Sequence, residues 1–104
     1  MEQRIKNVME EVARGEILLY LRRIYPDGAT PLPLRHYLDG ERATPIDEEK
    51  FTFHIRYLAE AGFVTYTLFP RRVGELERIR LVKITKAGID EADGRPKNSS
   101  GVRF

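Results

Sequence analysis

The spacing of apolar residues changes period along this chain, and the changes mark out its elements. Over residues 2–14, Ile5, Val8, Met9 and Val12 follow the i, i+3, i+4, i+7 spacing of an amphipathic helix. Gly15 interrupts the pattern. Helical character resumes over Glu16–Tyr25 and is stopped by Pro26-Asp-Gly28. A helix turns about 100° per residue, so Ile17, Leu21 and Ile24 fall more than a quarter turn from the first stripe, while Leu19 returns to it. Either the helix bends at Gly15, or its first half packs on something other than the core of its own domain.

Ala29–Leu32 reads as a short extended link and Leu34–Leu38 as a short helix ended near Asp39-Gly40, with a loop over 40–45. Asp47 is placed to cap a longer helix whose first turn carries Glu48 and Glu49, where carboxylates suit the helix dipole. That helix runs to about Ala61. Phe51, His54, Ile55 and Leu58 share its inner face; Thr52, Phe53, Arg56 and Glu60 look outward. Gly62 supplies the positive φ of a helix stop.

Beyond Gly62 the period becomes two. Val64, Tyr66 and Leu68 alternate with Thr65, Thr67 and Phe69 in a strand over Phe63–Phe69. A second strand over Leu76–Thr85 sets Ile79 and Leu81 against Arg78 and Arg80. Val82 and Ile84 break that parity, which predicts a bulge near Leu81. Pro70-Arg-Arg-Val-Gly-Glu75 joins the strands. Thr85 caps a short helix, Lys86–Ala92, and the polar residues 93–104 are predicted to be a disordered tail. The expected fold is therefore α+β, mainly α: one domain over 1–92 with three core helices, a β-ribbon, a helical N-terminal extension (2–14) and a short C-terminal helix. An all-α alternative would force Val64-Thr-Tyr-Thr-Leu-Phe69 into a helix against its β-branched and aromatic content.

With 104 residues the chain has room for one modest core. Its net charge of +2 says little, but the charges are unevenly placed. Residues 63–92 carry Arg71, Arg72, Arg78, Arg80, Lys83 and Lys86 against four carboxylates, and the tail adds Arg95, Lys97 and Arg103 against Asp93. The positive excess lies on the ribbon and the tail. Without cysteine there are no disulfides, thiolate metal sites or thiol nucleophiles, a composition that suits a reducing cytoplasm. No apolar run approaches membrane-spanning length, and Met1-Glu-Gln-Arg lacks the layout of a signal peptide.

The run His54-Ile-Arg-Tyr-Leu-Ala-Glu-Ala-Gly-Phe-Val64 resembles the junction of third helix and wing in bacterial winged helix-turn-helix regulators, above all the arsenical-resistance repressor type with its H-L-x-x-L-x-x-A-G-L-V run. Ile84-Thr-Lys-Ala-Gly-Ile89 resembles the L-T-x-x-G run that closes the wing in many such proteins, including the phenolic-acid repressor type. The likeness spans residues 16–92. It implies a DNA-binding transcriptional regulator whose third helix enters the major groove through Thr52, Phe53 and Arg56, with Arg71 and Arg72 at the wing tip on the backbone. The metal-sensing cysteines of the arsenical type are absent, so no sensing site transfers. Asp47-Glu-Glu49 also departs from the pattern, since carboxylates there repel phosphate.

Each candidate has a plainer alternative. Arg78 and Arg80 either join the phosphate contacts or pair with Glu75 and Glu77. Arg56 either reads guanine or pairs with Glu60 one turn on. Phe53, flanked by Tyr57, meets a thymine methyl, a partner protein or the loop 40–46. The stripe Ile5, Val8, Met9 and Val12 is expected to form a homodimer interface, the alternative being a helix folded back on the core. His36 and His54, without spaced carboxylates, make no metal site. No catalytic constellation, phosphate-binding loop or cofactor motif is present, so neither enzyme activity nor a cofactor is expected. The second functional reading is a protein-interaction module, with Phe53, Tyr57 and the acidic helix start as the docking face.

Overall fold

The computed structural model describes residues 2–40, 46–94 and 102, with side chains from Val8 onward. It is a small, mainly helical α+β domain. Its order is α1 (Glu2–Ile24), α2 (Pro31–Gly40), α3 (Glu48–Glu60), β1 (Val64–Leu68), β2 (Ile79–Ile84) and α4 (Lys86–Ala92). No helix among the described residues is long and apolar enough to cross a membrane.

α1 runs unbroken through Gly15. A helical glycine costs roughly 1 kcal/mol relative to alanine. Burial of Ala13, Ile17, Leu18 and Leu21 on one side of α1 offsets it. The other side stays open: Met9 is 58% exposed, and Val12 and Leu19 are each 37% exposed. The expected interruption at Gly15 is therefore absent.

α2 is longer than the apolar spacing predicts. It begins at Pro31, inside the expected extended link, and includes Pro33. Both prolines sit in the first turn, where a backbone N–H has no intrahelical acceptor to lose. Leu34 and Leu38 are its buried residues. α3 matches its expected faces: Phe51, His54, Ile55 and Leu58 are buried, and the Asp47 carboxylate accepts from the Lys50 N–H at 2.7 Å. Gly62 has φ of 85°.

β1 and β2 pair antiparallel, from Val64 opposite Ile84 to Leu68 opposite Ile79. Thr67 faces Leu81, so Arg80 is the extra residue of a bulge, next to the predicted position. The bulge explains why Ile79, Val82 and Ile84 all reach the core despite their mixed parity. On the far side of β2, Ala29 forms an isolated bridge with Val82, its N–H donating to the Val82 carbonyl at 2.8 Å. Gly28 permits this approach, because a Cβ there would lie 3.0 Å from that same carbonyl oxygen.

The two motif-bearing runs meet in space. Thr85 Oγ1 donates to the Gly62 carbonyl at 2.6 Å and accepts from the Gly88 N–H at 3.1 Å, capping α4. The Thr85 N–H donates to the Phe63 carbonyl at 3.0 Å. Gly88 is buried and does more than end an element: a Cβ there would stand 2.2 Å from the Phe63 carbonyl oxygen. At the end of α4, Asp93 takes a hydrogen bond from Arg22 of α1 at 3.0 Å; that bond and the attached charge hold the guanidinium above its ordinary pKa. Of the tail predicted to be disordered, Asp93 and Gly94 close α4 and Val102 packs against the core; the rest, like most of the 40–45 loop, lies outside the described residues.

Candidate nucleic-acid interface

Three chain segments converge on one concavity. The start of α2 contributes Thr30, Pro31, Leu32 and Arg35; the first turns of α3 contribute Glu48, Phe51 and Thr52; the ribbon contributes Phe69, Arg78, Ile79 and Arg80. They line a cleft of about 320 Å³. The lining residues include three arginines and two threonines against one glutamate, so the cleft carries a net positive charge. Its walls are apolar where Phe51 and Ile79 come up from the core.

The arginines of the cleft differ in restraint. Arg35 is half-buried and donates from Nη2 to the Ile46 carbonyl at 3.3 Å, while its Nε is buried without a hydrogen-bond partner. The Arg78 guanidinium lies 5.9 Å from the Phe69 ring centre. Arg78 and Arg80 are exposed, and neither has an ion pair among the described residues. The expected alternative, pairing with Glu75 or Glu77 across the ribbon, is not what the structure shows for them.

Glu77 is engaged elsewhere. It pairs with Arg56 of α3 and lies 3.9 Å from Arg71 Nη2, so one carboxylate faces two cations. Arg71 also donates from Nη1 to the Glu75 carbonyl at 3.1 Å, folding the tip back on itself. Arg56 therefore has a partner other than Glu60. The pair joins α3 to the ribbon loop, 21 positions away. Arg72 is exposed at the tip, where its carbonyl accepts the Glu75 N–H.

One turn before Arg56 on α3, Phe53 is 57% exposed and meets the buried His54 ring edge-on, with centroids 5.9 Å apart. Tyr57, expected beside it, is half-buried: the Arg14 guanidinium sits 4.0 Å from its ring centre. Arg14 Nη1 also donates to His54 Nδ1 at 3.4 Å, so the histidine is a packed core group. No cluster of three or more metal-ligating side chains occurs among the described residues.

The predicted site residues thus divide into three groups. Thr52, Arg78 and Arg80 come together in the cleft; Arg56 and Arg71 converge on Glu77; Arg72 and Phe53 stand exposed outside both. Sequence reading missed Arg35, Thr30 and Phe69, and set Glu77 against Arg78 and Arg80 where the structure sets it against Arg56 and Arg71. Arg35 would have emerged from placing Pro31 at the first helical position, which brings residue 35 into the early turns of α2. Compared with protein-family models, with curated proteins and with solved structures, this chain finds no match.

Proposed function

We propose that this chain is a small cytoplasmic winged-helix protein that binds double-stranded DNA through its phosphate backbone and acts as a transcriptional regulator. The order of three helices followed by a hairpin, with Ala29 bridged to β2 as a minimal third strand, supports the fold. The observation that carries the function is the cleft: Arg35, Arg78 and Arg80 gathered between α2, α3 and the ribbon, the last two exposed. Guanidinium groups so placed suit phosphodiester oxygens, and such contacts orient a protein on the duplex without reading its sequence. Base reading through α3 is limited by the Arg56–Glu77 pair and by Glu48 and Glu49 in its first turn. Fluorescence anisotropy with a random duplex tests the reading. Binding should weaken steeply between about 50 and 200 mM salt. No binding at the low-salt end would remove the proposal.

Glu77 gives a test of opposite sign. Glu77→Gln releases Arg56 and Arg71 from a shared carboxylate. On this reading duplex affinity rises about three- to tenfold and the salt slope steepens, by about 0.9 for each cation that gains a phosphate. A Glu77→Gln variant that binds more weakly than the parent protein would show that the pairs position the ribbon for binding.

Phe53 supports a second reading, in which the outer face of α3 docks a protein. An aromatic ring 57% exposed on a helix whose neighbouring arginine is already paired has the character of a hot-spot anchor. Phe53→Ala is expected to leave melting temperature and random-duplex affinity unchanged while abolishing co-purification of a protein partner. A fall in affinity confined to one selected duplex would instead assign the ring to base contact.

A further inference from the structure

The cleft between α2, α3 and the ribbon offers more than cations. Pro31, Leu32, Phe51, Phe69 and Ile79 line it beside the arginines. Two of these stand open to solvent: Leu32 is 60% exposed and Phe69 47% exposed. Phe69 is therefore an accessible aromatic ring, with the Arg78 guanidinium 5.9 Å from its centre. A phosphodiester backbone makes no use of such a surface. In a paired duplex the base faces are stacked inside the helix, so only an unpaired base can lie on a protein aromatic ring. Glu48 points the same way. It is the one carboxylate of the lining. It repels phosphate, yet it accepts a hydrogen bond from the N–H of a base edge. Thr30 and Thr52 add hydroxyls that donate or accept. A volume of about 320 Å³ lies at the lower end for ligand sites, with room for one ring system and its phosphate. Positive charge also continues beyond the cleft. Lys83 is exposed, holds no ion pair among the described residues, and runs beside Gly28, two positions before Thr30. It supplies a cation for a neighbouring phosphate, which a strand has and a lone nucleotide lacks.

We propose that the cleft takes an unpaired nucleotide of a single DNA strand, its base against Phe69 and its phosphate on Arg78 and Arg80. Stacking needs only a ring face, so the site tolerates any sequence. The proposal rests on the reading that the cleft arginines hold phosphate, and adds a place for the base.

Fluorescence anisotropy of a short labelled dT strand is compared with a duplex of equal length and with an abasic strand, which keeps every phosphate and has no base. The parent protein should bind the dT strand about fivefold or more tightly than the abasic one. Phe69→Ala should remove that advantage, weakening dT binding by about five- to a hundredfold and abasic binding far less. Phe69→Tyr should retain the advantage. Phe69→Leu, apolar but without a ring face, should not; the two together separate stacking from a damaged fold. A parent that binds both strands equally overturns the proposal, whether or not it binds the duplex. So does a Phe69→Ala protein that keeps the advantage, or free thymidine monophosphate that competes as well as the strand. Failure of the duplex reading alone looks different: the duplex is ignored while Phe69-dependent binding of the dT strand persists.

Discussion

Alanine at both Arg78 and Arg80 is expected to lower affinity for any duplex by about ten- to a hundredfold near 0.1 M salt, with no preference among sequences. Each phosphate contact contributes about 0.9 to the slope of log affinity against log salt. Losing two should flatten that slope by about 1.8. The fold should survive, because both side chains are exposed and neither holds an ion pair among the described residues. Arg72→Ala, at the exposed tip, serves as a comparison: if binding is governed by net charge alone, its cost per residue will equal that of the cleft arginines. If the cleft is the grip, Arg72→Ala costs less. An unchanged slope in the double variant would show that the cleft does not touch phosphate.

The second large effect concerns stability. Gly88→Ala places a methyl 2.2 Å from the Phe63 carbonyl oxygen and 2.7 Å from Ile84 Cγ1. The obstacle is backbone at the start of the ribbon, so α4 must move away. That movement strains the Thr85 N–H bond to Phe63 and the Thr85 hydroxyl bond to Gly62. The cost should be on the order of 3 kcal/mol, the range of overpacking combined with a disturbed cap. In a domain of this size that lowers the melting temperature by roughly 12–24 °C. Gly40→Ala is the control, since nothing lies within 4 Å of its Cβ position. A Gly88→Ala protein melting within about 2 °C of the parent would show that α4 repositions freely and that the packing is slack.

The sequence revealed most where a feature depends on neighbours along the chain. The inner face of α3, the Asp47 cap, the positive φ at Gly62 and the bulge beside Leu81 all follow from local spacing or backbone chemistry, and the structure has each of them. Start and stop signals served less well where burial or position changed their meaning. Gly15 reads as a break, yet the buried face formed by Ala13 before it and Ile17, Leu18 and Leu21 after it carries α1 through. Pro31 reads as part of an extended link, yet in a first helical turn it costs no hydrogen bond. The site was harder to read because its members come from separate segments. Glu77 lies 21 positions from Arg56, so the one-turn rule pointed to Glu60 instead. Arg35 reaches the cleft only because the Ala29–Val82 bridge draws the start of α2 to β2. Gly88 owes its role to a carbonyl 25 positions earlier, which no local pattern contains.

Val102 alters how the last dozen residues should be treated in the laboratory. Its own packing against the core makes that one side chain part of the hydrophobic seal, in a segment whose composition invites trimming. A shortened version ending at Gly94 would leave greasy surface uncovered. Such a version would clump sooner, and any loss of DNA affinity would then be wrongly credited to the missing cations.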